Sequence, residues 1–164
     1  MNKAYKFRIY PNNEQKTKLS KTFGCVRFIY NKMLEDKIKY YEEHNKQLKT
    51  TPAKYKKEFE WLKEVDSLAL CNAQLNLQVA YSNFFRDKKI GFPKFKSKKD
   101  NNQSYTTNCV NGNIVIGGDM IKLPKVGFIR MKHHRTIPYN YKLKYVTISR
   151  TASGKYYASI LFEY

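Results

Sequence analysis

The chain has 164 residues, enough for the core of one ordinary domain or two small ones, and its 41% hydrophobic content with 14 Tyr and 10 Phe excludes a disordered tail. Lys and Arg number 32 against 13 Asp and Glu, a formal net charge of +19. Such an excess opposes compaction and attracts polyanions, so nucleic acid is the first class of partner to consider. The start of the chain, Met1 to Arg8, has no apolar segment of a leader, and no apolar run approaches the length of a span, so no membrane is expected. Cys25, Cys71 and Cys109 stand far apart without a CxxC pair, which points to reduced thiols in a cytoplasm. His44, His133 and His134 lack a second ligand at metal spacing, and the pair lies in the basic stretch 130–135. The expectation is no metal site and no cofactor in this chain.

Residues 3–10 alternate, with Tyr5, Phe7 and Ile9 on one side and Lys6 and Arg8 on the other, as in a half-buried strand. Pro11-Asn12-Asn13-Glu14 ends the strand and opens a helix capped by Asn12 or Asn13. Gly24 punctuates it, and a second helix runs to about Glu43 with Val26, Ile29, Tyr30, Met33, Ile38 and Tyr41 on its apolar face. Two helices around a glycine have the outline of a helix-turn-helix. A third helix is expected from Pro52 to Leu62.

The stretch from Ser67 to Phe85 has no formal charge, although 27% of the chain is charged. At 100° per residue, Ser67, Cys71, Gln74, Gln78 and Ser82 fall on one stripe and Asn72, Asn76 and Asn83 on another. One reading is a central helix whose amides bond to neighbouring helices. Another is that a neutral stripe faces bases, because Gln and Asn offer paired donors and acceptors to base edges. The two are compatible.

Residues 86–99 hold seven basic side chains, Arg86, Lys88, Lys89, Lys94, Lys96, Lys98 and Lys99, and one acid, Asp87. Gly91 and Pro93 preclude a continuous helix, so an extended loop is expected. A solvated charge run is the plain reading. Phe92 and Phe95 interleave with the lysines, however, which suits phosphate contacts beside stacking or anchoring rings. Nucleic-acid contact is the favoured reading.

From residue 104 the pattern is β. Short strands are expected at Ser104–Asn108, Asn113–Ile116 and Met120–Leu123, with turns at Asn111-Gly112 and Gly117-Gly118-Asp119. The clearest hairpin joins 143–150 to 155–163. About six short strands predict a small β-barrel or curled sheet. The first strand can pair only here, so the helices are an insertion after it. The fold class is α+β, with residues 1–10 as the first strand of a barrel, 11–89 as a helical domain and 90–164 as the rest of the barrel. Residues 1–89 carry 19 basic and 10 acidic side chains, and residues 90–164 carry 13 and 3, so the second half is the better backbone tracker.

Metal-dependent cleavage needs two to four gathered carboxylates. Only Asp100, Asp119 and Glu163 occur in the last 75 residues, and no GxSxG, P-loop or GxGxxG is present. These residues read as a binder, with no catalytic residue in the chain.

Tyr10-Pro11-Asn12 with Gln15 and Leu19 is followed by Arg27-Phe28-Ile29-Tyr30-Asn31, then by Asn72-Ala73, Ala80-Tyr81 and Asn83-Phe84-Phe85. Gly91-Phe92-Pro93-Lys94-Phe95-Lys96, Ile121-Lys122-Leu123-Pro124-Lys125 and Gly127 complete the set. In this order, over essentially the whole chain, they resemble the N-terminal half of TnpB proteins, the OrfB products of bacterial insertion sequences. The resemblance implies the wedge and recognition domains of an RNA-guided DNA endonuclease. The wedge β-barrel would grip a guide RNA from the transposon end, and both domains would read the short motif beside the double-stranded DNA target. Motif readers of the family correspond here to Ser67, Cys71 and Asn111, and the first two are shorter than the long polar readers of some relatives. Family members continue into a RuvC-like nuclease with three acidic residues and a zinc ribbon. This sequence ends at Glu163-Tyr164, ahead of those acids, so magnesium, zinc and cleavage are expected outside it. The implied location is the bacterial cytoplasm, on the nucleoid when bound to DNA.

Two rival expectations remain. One is a guide-free regulator that uses the helix pair around Gly24 to bind duplex DNA. The other is half of a split nuclease completed in trans by a separate nuclease-half chain, with Phe162 and Tyr164 at the interface.

Overall fold

The structure is a computed structural model that describes residues 1–99 and 102–164. Asp100, one of the three acids counted in the C-terminal part, lies outside the described residues. Two compact units are present: a β unit of Met1–Phe23 with Asn101–Tyr164, and a helical unit of Gly24–Asp100.

In the β unit, β1 (Asn2–Tyr10) buries Tyr5, Phe7 and Ile9, as its alternation requires. The other strands are β2 (Gln103–Asn108), β3 (Val115–Gly117), β4 (Met120–Leu123), β5 (Gly127–Met131), β6 (Lys142–Arg150) and β7 (Tyr156–Glu163). They form one antiparallel sheet in the order β2-β6-β7-β1-β5-β4-β3. The β6–β7 hairpin buries Val146 and Ile148 against Tyr156, Ala158, Ile160 and Phe162. β1 lies along β7 from Asn2↔Glu163 to Ile9↔Tyr156, and its end turns to β5 at Ile9↔Met131 and Tyr10↔Arg130. The first strand is thus central to a sheet whose other strands lie more than ninety residues on. Two expectations need correction. The strand at Gly127–Met131 has no counterpart in the sequence reading. The sheet is also open: its order ends at β2 on one side and β3 on the other, so the closed barrel is not formed by these pairings.

Helix α1 (Asn13–His44) is unbroken through Gly24, so the predicted pair of helices is one helix of 32 residues. A glycine inside a helix costs about 1 kcal/mol relative to alanine, too little to break a helix buried on both sides of it. Leu19, Thr22 and Phe23 precede Gly24 in buried positions, and Cys25, Ile29 and Tyr30 follow. The start is a reciprocal capping box. The Gln15 N–H donates to Asn12 Oδ1 and the Asn12 N–H donates to Gln15 Oε1, each at 2.9 Å, which settles the cap on Asn12.

The helical unit continues with α2 (Pro52–Glu58), shorter than expected and followed by a 3₁₀ segment (Glu60–Glu64), then α3 (Ser67–Arg86). Ile29, Met33 and Leu34 of α1 share a core with Tyr55, Leu62, Leu70, Ala73 and Leu77. Tyr55 donates its hydroxyl to Asp36 Oδ2 at 2.8 Å, and burial foremost pushes its pKa up to about 12. Asp66 caps α3 by accepting from the Leu68 N–H at 3.0 Å. No helix among the described residues is long and apolar enough to cross a membrane.

Candidate nucleic-acid interface

The segment after α3 is irregular apart from a 3₁₀ turn at Lys88–Ile90, and four devices fix its path. Asp87 accepts from the Lys89 N–H at 3.0 Å, and Gly91 takes a left-handed φ of +93° that a side chain would oppose. Phe92 then stands edge-on to Tyr81 and Phe84, with ring centroids 5.4 Å from each. Finally, Asn31 of α1 grips the backbone of Lys96: Nδ2 donates to its carbonyl at 2.9 Å, and its N–H donates to Asn31 Oδ1 at 2.8 Å. The Lys96 ammonium lies 4.6 Å from the centre of the Tyr30 ring.

Of the interleaved rings, Phe92 is an anchor and Phe95 is 56% exposed. Arg86, Lys88, Lys89, Lys94, Lys98 and Lys99 are exposed, and none is paired with a carboxylate among the described residues. The segment holds unneutralised cations on a pinned backbone. It can receive phosphates.

Ser67 and Cys71 are exposed one turn apart at the start of α3. The helix rises about 1.5 Å per residue, so its own length, roughly 28 Å, separates Ser67 from Arg86. Ser67 and Cys71 thus lie at the opposite end of α3 from Arg86. Asn111 belongs to the β unit, in a turn with left-handed φ values of 53° for Asn111 and 70° for Gly112. Asn113 closes that turn by accepting from the Val110 N–H at 2.7 Å and donating to the Asn108 carbonyl at 2.9 Å. Two amides of α3 make bonds elsewhere than to the neighbouring helices of the structural reading: Asn72 donates to the Leu68 carbonyl one turn back in α3, and Gln74 to that of Thr50 in the stretch between α1 and α2.

A second basic surface was not read from the sequence. On the sheet face opposite the core, strand pairing sets Arg8 beside Tyr157, Tyr10 beside Arg130, and Lys122 beside Phe128. The guanidinium carbons of Arg8 and Arg130 lie 5.1 and 4.9 Å from the Tyr10 ring centre, and Lys6 Nζ lies 4.7 Å from that of Tyr157. Arg8 Nε is buried without a hydrogen-bond partner among the described residues. Two guanidinium groups on one ring repel each other, so an anion between them would be stabilising. On the same face, Glu163 is tied to Lys144 Nζ at 3.0 Å, and that hydrogen bond holds its carboxyl below the usual range. The only cue in the sequence was the alternation of Lys6, Arg8 and Tyr10 along β1, because their partners come from other strands.

Phe162 is 2% exposed, packed against Tyr5 and Tyr141, so it is not the open apolar edge expected of a split-nuclease interface. Tyr164 stacks on Tyr141 with centroids 4.6 Å apart. Among the described residues no three His, Cys, Asp or Glu side chains gather to hold a metal ion, so the donor set for magnesium or zinc is not formed by them.

Residues 1–46 match the family model of the OrfB/IS605 helix-turn-helix domain, a stretch that holds β1 and unbroken α1 here. A putative RNA-guided DNA endonuclease of Streptomyces pristinaespiralis is 34% identical along 98% of this chain. The putative RNA-guided DNA endonuclease InsQ of Escherichia coli (strain K12) is 30% identical along 98%. The chain belongs to the TnpB/OrfB family. It matches the N-terminal part of TnpB and spans 41% and 40% of the length of those two relatives. It is also 42% identical to the virulence protein VsdF of Salmonella dublin, over 60% of this chain and 95% of VsdF. Within this TnpB-family chain, the matched region contributes Arg8, Tyr10 and Asn31, three of the side chains that shape the two basic surfaces.

Proposed function

We infer that this chain is the nucleic-acid-gripping part of an RNA-guided DNA endonuclease of the TnpB type. The observation that carries the reading is the likeness, along 98% of the chain, to two relatives named as RNA-guided DNA endonucleases. The geometry agrees with it: unpaired cations on a pinned segment suit phosphates, and arginines interleaved with tyrosines suit a strand with exposed bases. The β unit acts as the wedge domain, its curled sheet closing into a barrel with the rest of the complex, and it grips a guide RNA encoded at the transposon end. The helical unit acts as the recognition domain on double-stranded target DNA, with Ser67 and Cys71 of that unit and Asn111 of the β unit as readers of the motif beside the target. The chain supplies the binding, and cleavage is assigned to a nuclease part beyond the two-fifths of these relatives' length that it spans. Its place of work is the bacterial cytoplasm, at the nucleoid.

The test is to express the chain with its flanking DNA and sequence the nucleic acid that co-purifies. One enriched, structured RNA from the end of the element is the expected result. Random cellular RNA that moderate salt strips away would overturn the guide-RNA assignment and leave the net charge as the whole of the attraction. Tight binding to one duplex sequence with no RNA present would favour the guide-free regulator instead.

A further inference from the structure

The helical unit contains a cavity of about 990 Å³ between the second half of α1, residues 47–51 and α3. Sites for small organic ligands occupy about 300–1,000 Å³. Three kinds of side chain line it. Tyr41 and Phe85, 55% and 56% exposed, offer ring surface, with Tyr81 stacked on one side of Phe85 at 6.2 Å between centroids. Gln78 and Ser82 offer an amide and a hydroxyl that are exposed and unpaired among the described residues, whereas Gln74 is committed to the Thr50 carbonyl. Lys37 supplies a half-buried ammonium that donates to the Leu48 carbonyl at 2.9 Å and lies 5.6 Å from the Tyr81 ring centre. Burial lowers its pKa, and Glu42 is the one carboxylate in the lining against Lys37 and Lys49.

We propose that this cavity takes one unstacked nucleotide of the nucleic-acid strand lying along residues 86–99. The proposal rests on the nucleic-acid reading above and adds a specific pocket to it. An apolar ligand would cover the exposed Gln78 amide and Ser82 hydroxyl and leave them without partners, which is costly. A nucleotide suits the whole lining: its base offers faces to Tyr41 and Phe85 and an edge with donors and acceptors to Gln78 and Ser82, and its phosphate suits the remaining donors of Lys37. The position of the cavity supports the same occupant. Phe92 is part of its wall and stands two residues before Lys94, so a backbone held by the lysines passes the opening.

The test measures affinity of the full chain for a single-stranded RNA oligomer in which each nucleotide in turn is replaced by an abasic unit. The unaltered chain should show one position at which base removal weakens binding about tenfold, the scale of one base stacked on aromatic side chains. Phe85→Ala should lower affinity for the intact oligomer by a similar factor, lose that positional effect and keep the same salt slope, since it removes no phosphate contact. Ser82→Trp, which fills the cavity from an exposed helix position, should do the same with the thermal transition unchanged. Variants that bind every oligomer as the unaltered chain does, while lysine substitutions still weaken binding, would overturn the pocket and leave the phosphate surface standing. Absence of oligomer binding by the unaltered chain would sink the nucleic-acid reading and the pocket with it.

Discussion

The helical unit and the β unit carry positive charge in two different ways. In the helical unit the cations follow one another along residues 86–99, on backbone held by Asn31, Phe92 and Gly91. In the β unit they are brought side by side by strand pairing, each against an aromatic ring: Arg8 and Arg130 on Tyr10, Lys6 on Tyr157. Lysines on a loop are strongly hydrated point charges that suit any phosphate they can reach, whereas a guanidinium fixed on a ring gives a planar donor set beside a stacking surface. The first arrangement therefore favours affinity without discrimination. The second favours a strand whose bases are exposed.

This contrast can be broken most readily at the loop. Replacing Lys88, Lys89, Lys94 and Lys98 together by Ala should cause the largest loss, with the slope of log affinity against log salt flattening by about 0.7–0.9 for each phosphate contact removed. A salt titration by fluorescence anisotropy reads it, and an unchanged slope would refute the loop assignment. Tyr10→Ala with Tyr157→Ala should cost less, about 1–3 kcal/mol for each base that stacks there. The loss should fall on single-stranded ligands and spare the salt slope. Equal losses on duplex and single strand would erase the distinction between the two surfaces. The smallest effect concerns the scaffold that carries Asn31. An added Cβ at Gly24 meets only Arg27 Nη2, at an ordinary 3.7 Å, so Gly24→Ala should stabilise the chain by about 0.5–1 kcal/mol. A fall in the denaturant midpoint would mean that the helix needs to bend there.

How much of this was legible beforehand follows from the range of the interactions. The strand at 3–10 and the hairpin near the end announced themselves by alternation, and the pairing of β1 with the C-terminal strands followed because no other strand was available. Helix α3 was read almost to the residue, since nineteen uncharged residues with helical spacing admit little else. Gly24 misled because local propensity was weighed without the burial that overrides it. β5 escaped because its five residues expose Phe128 and Arg130 alike, which hides the alternation. The lysine segment was visible as composition, but its path depends on Asn31, 65 residues from Lys96. The tyrosine–arginine face was invisible for the same reason: register creates it.

The Asn31 grip has a consequence for how this segment can change over generations. Its two hydrogen bonds end on the amide and carbonyl of residue 96, groups that every amino acid except proline supplies. The course of the segment is therefore insulated from the identity of the side chains it displays. Lysines can be gained, lost or exchanged at 94, 96, 98 and 99 without rebuilding the scaffold, so a lineage meeting a new nucleic-acid partner can retune this surface one substitution at a time.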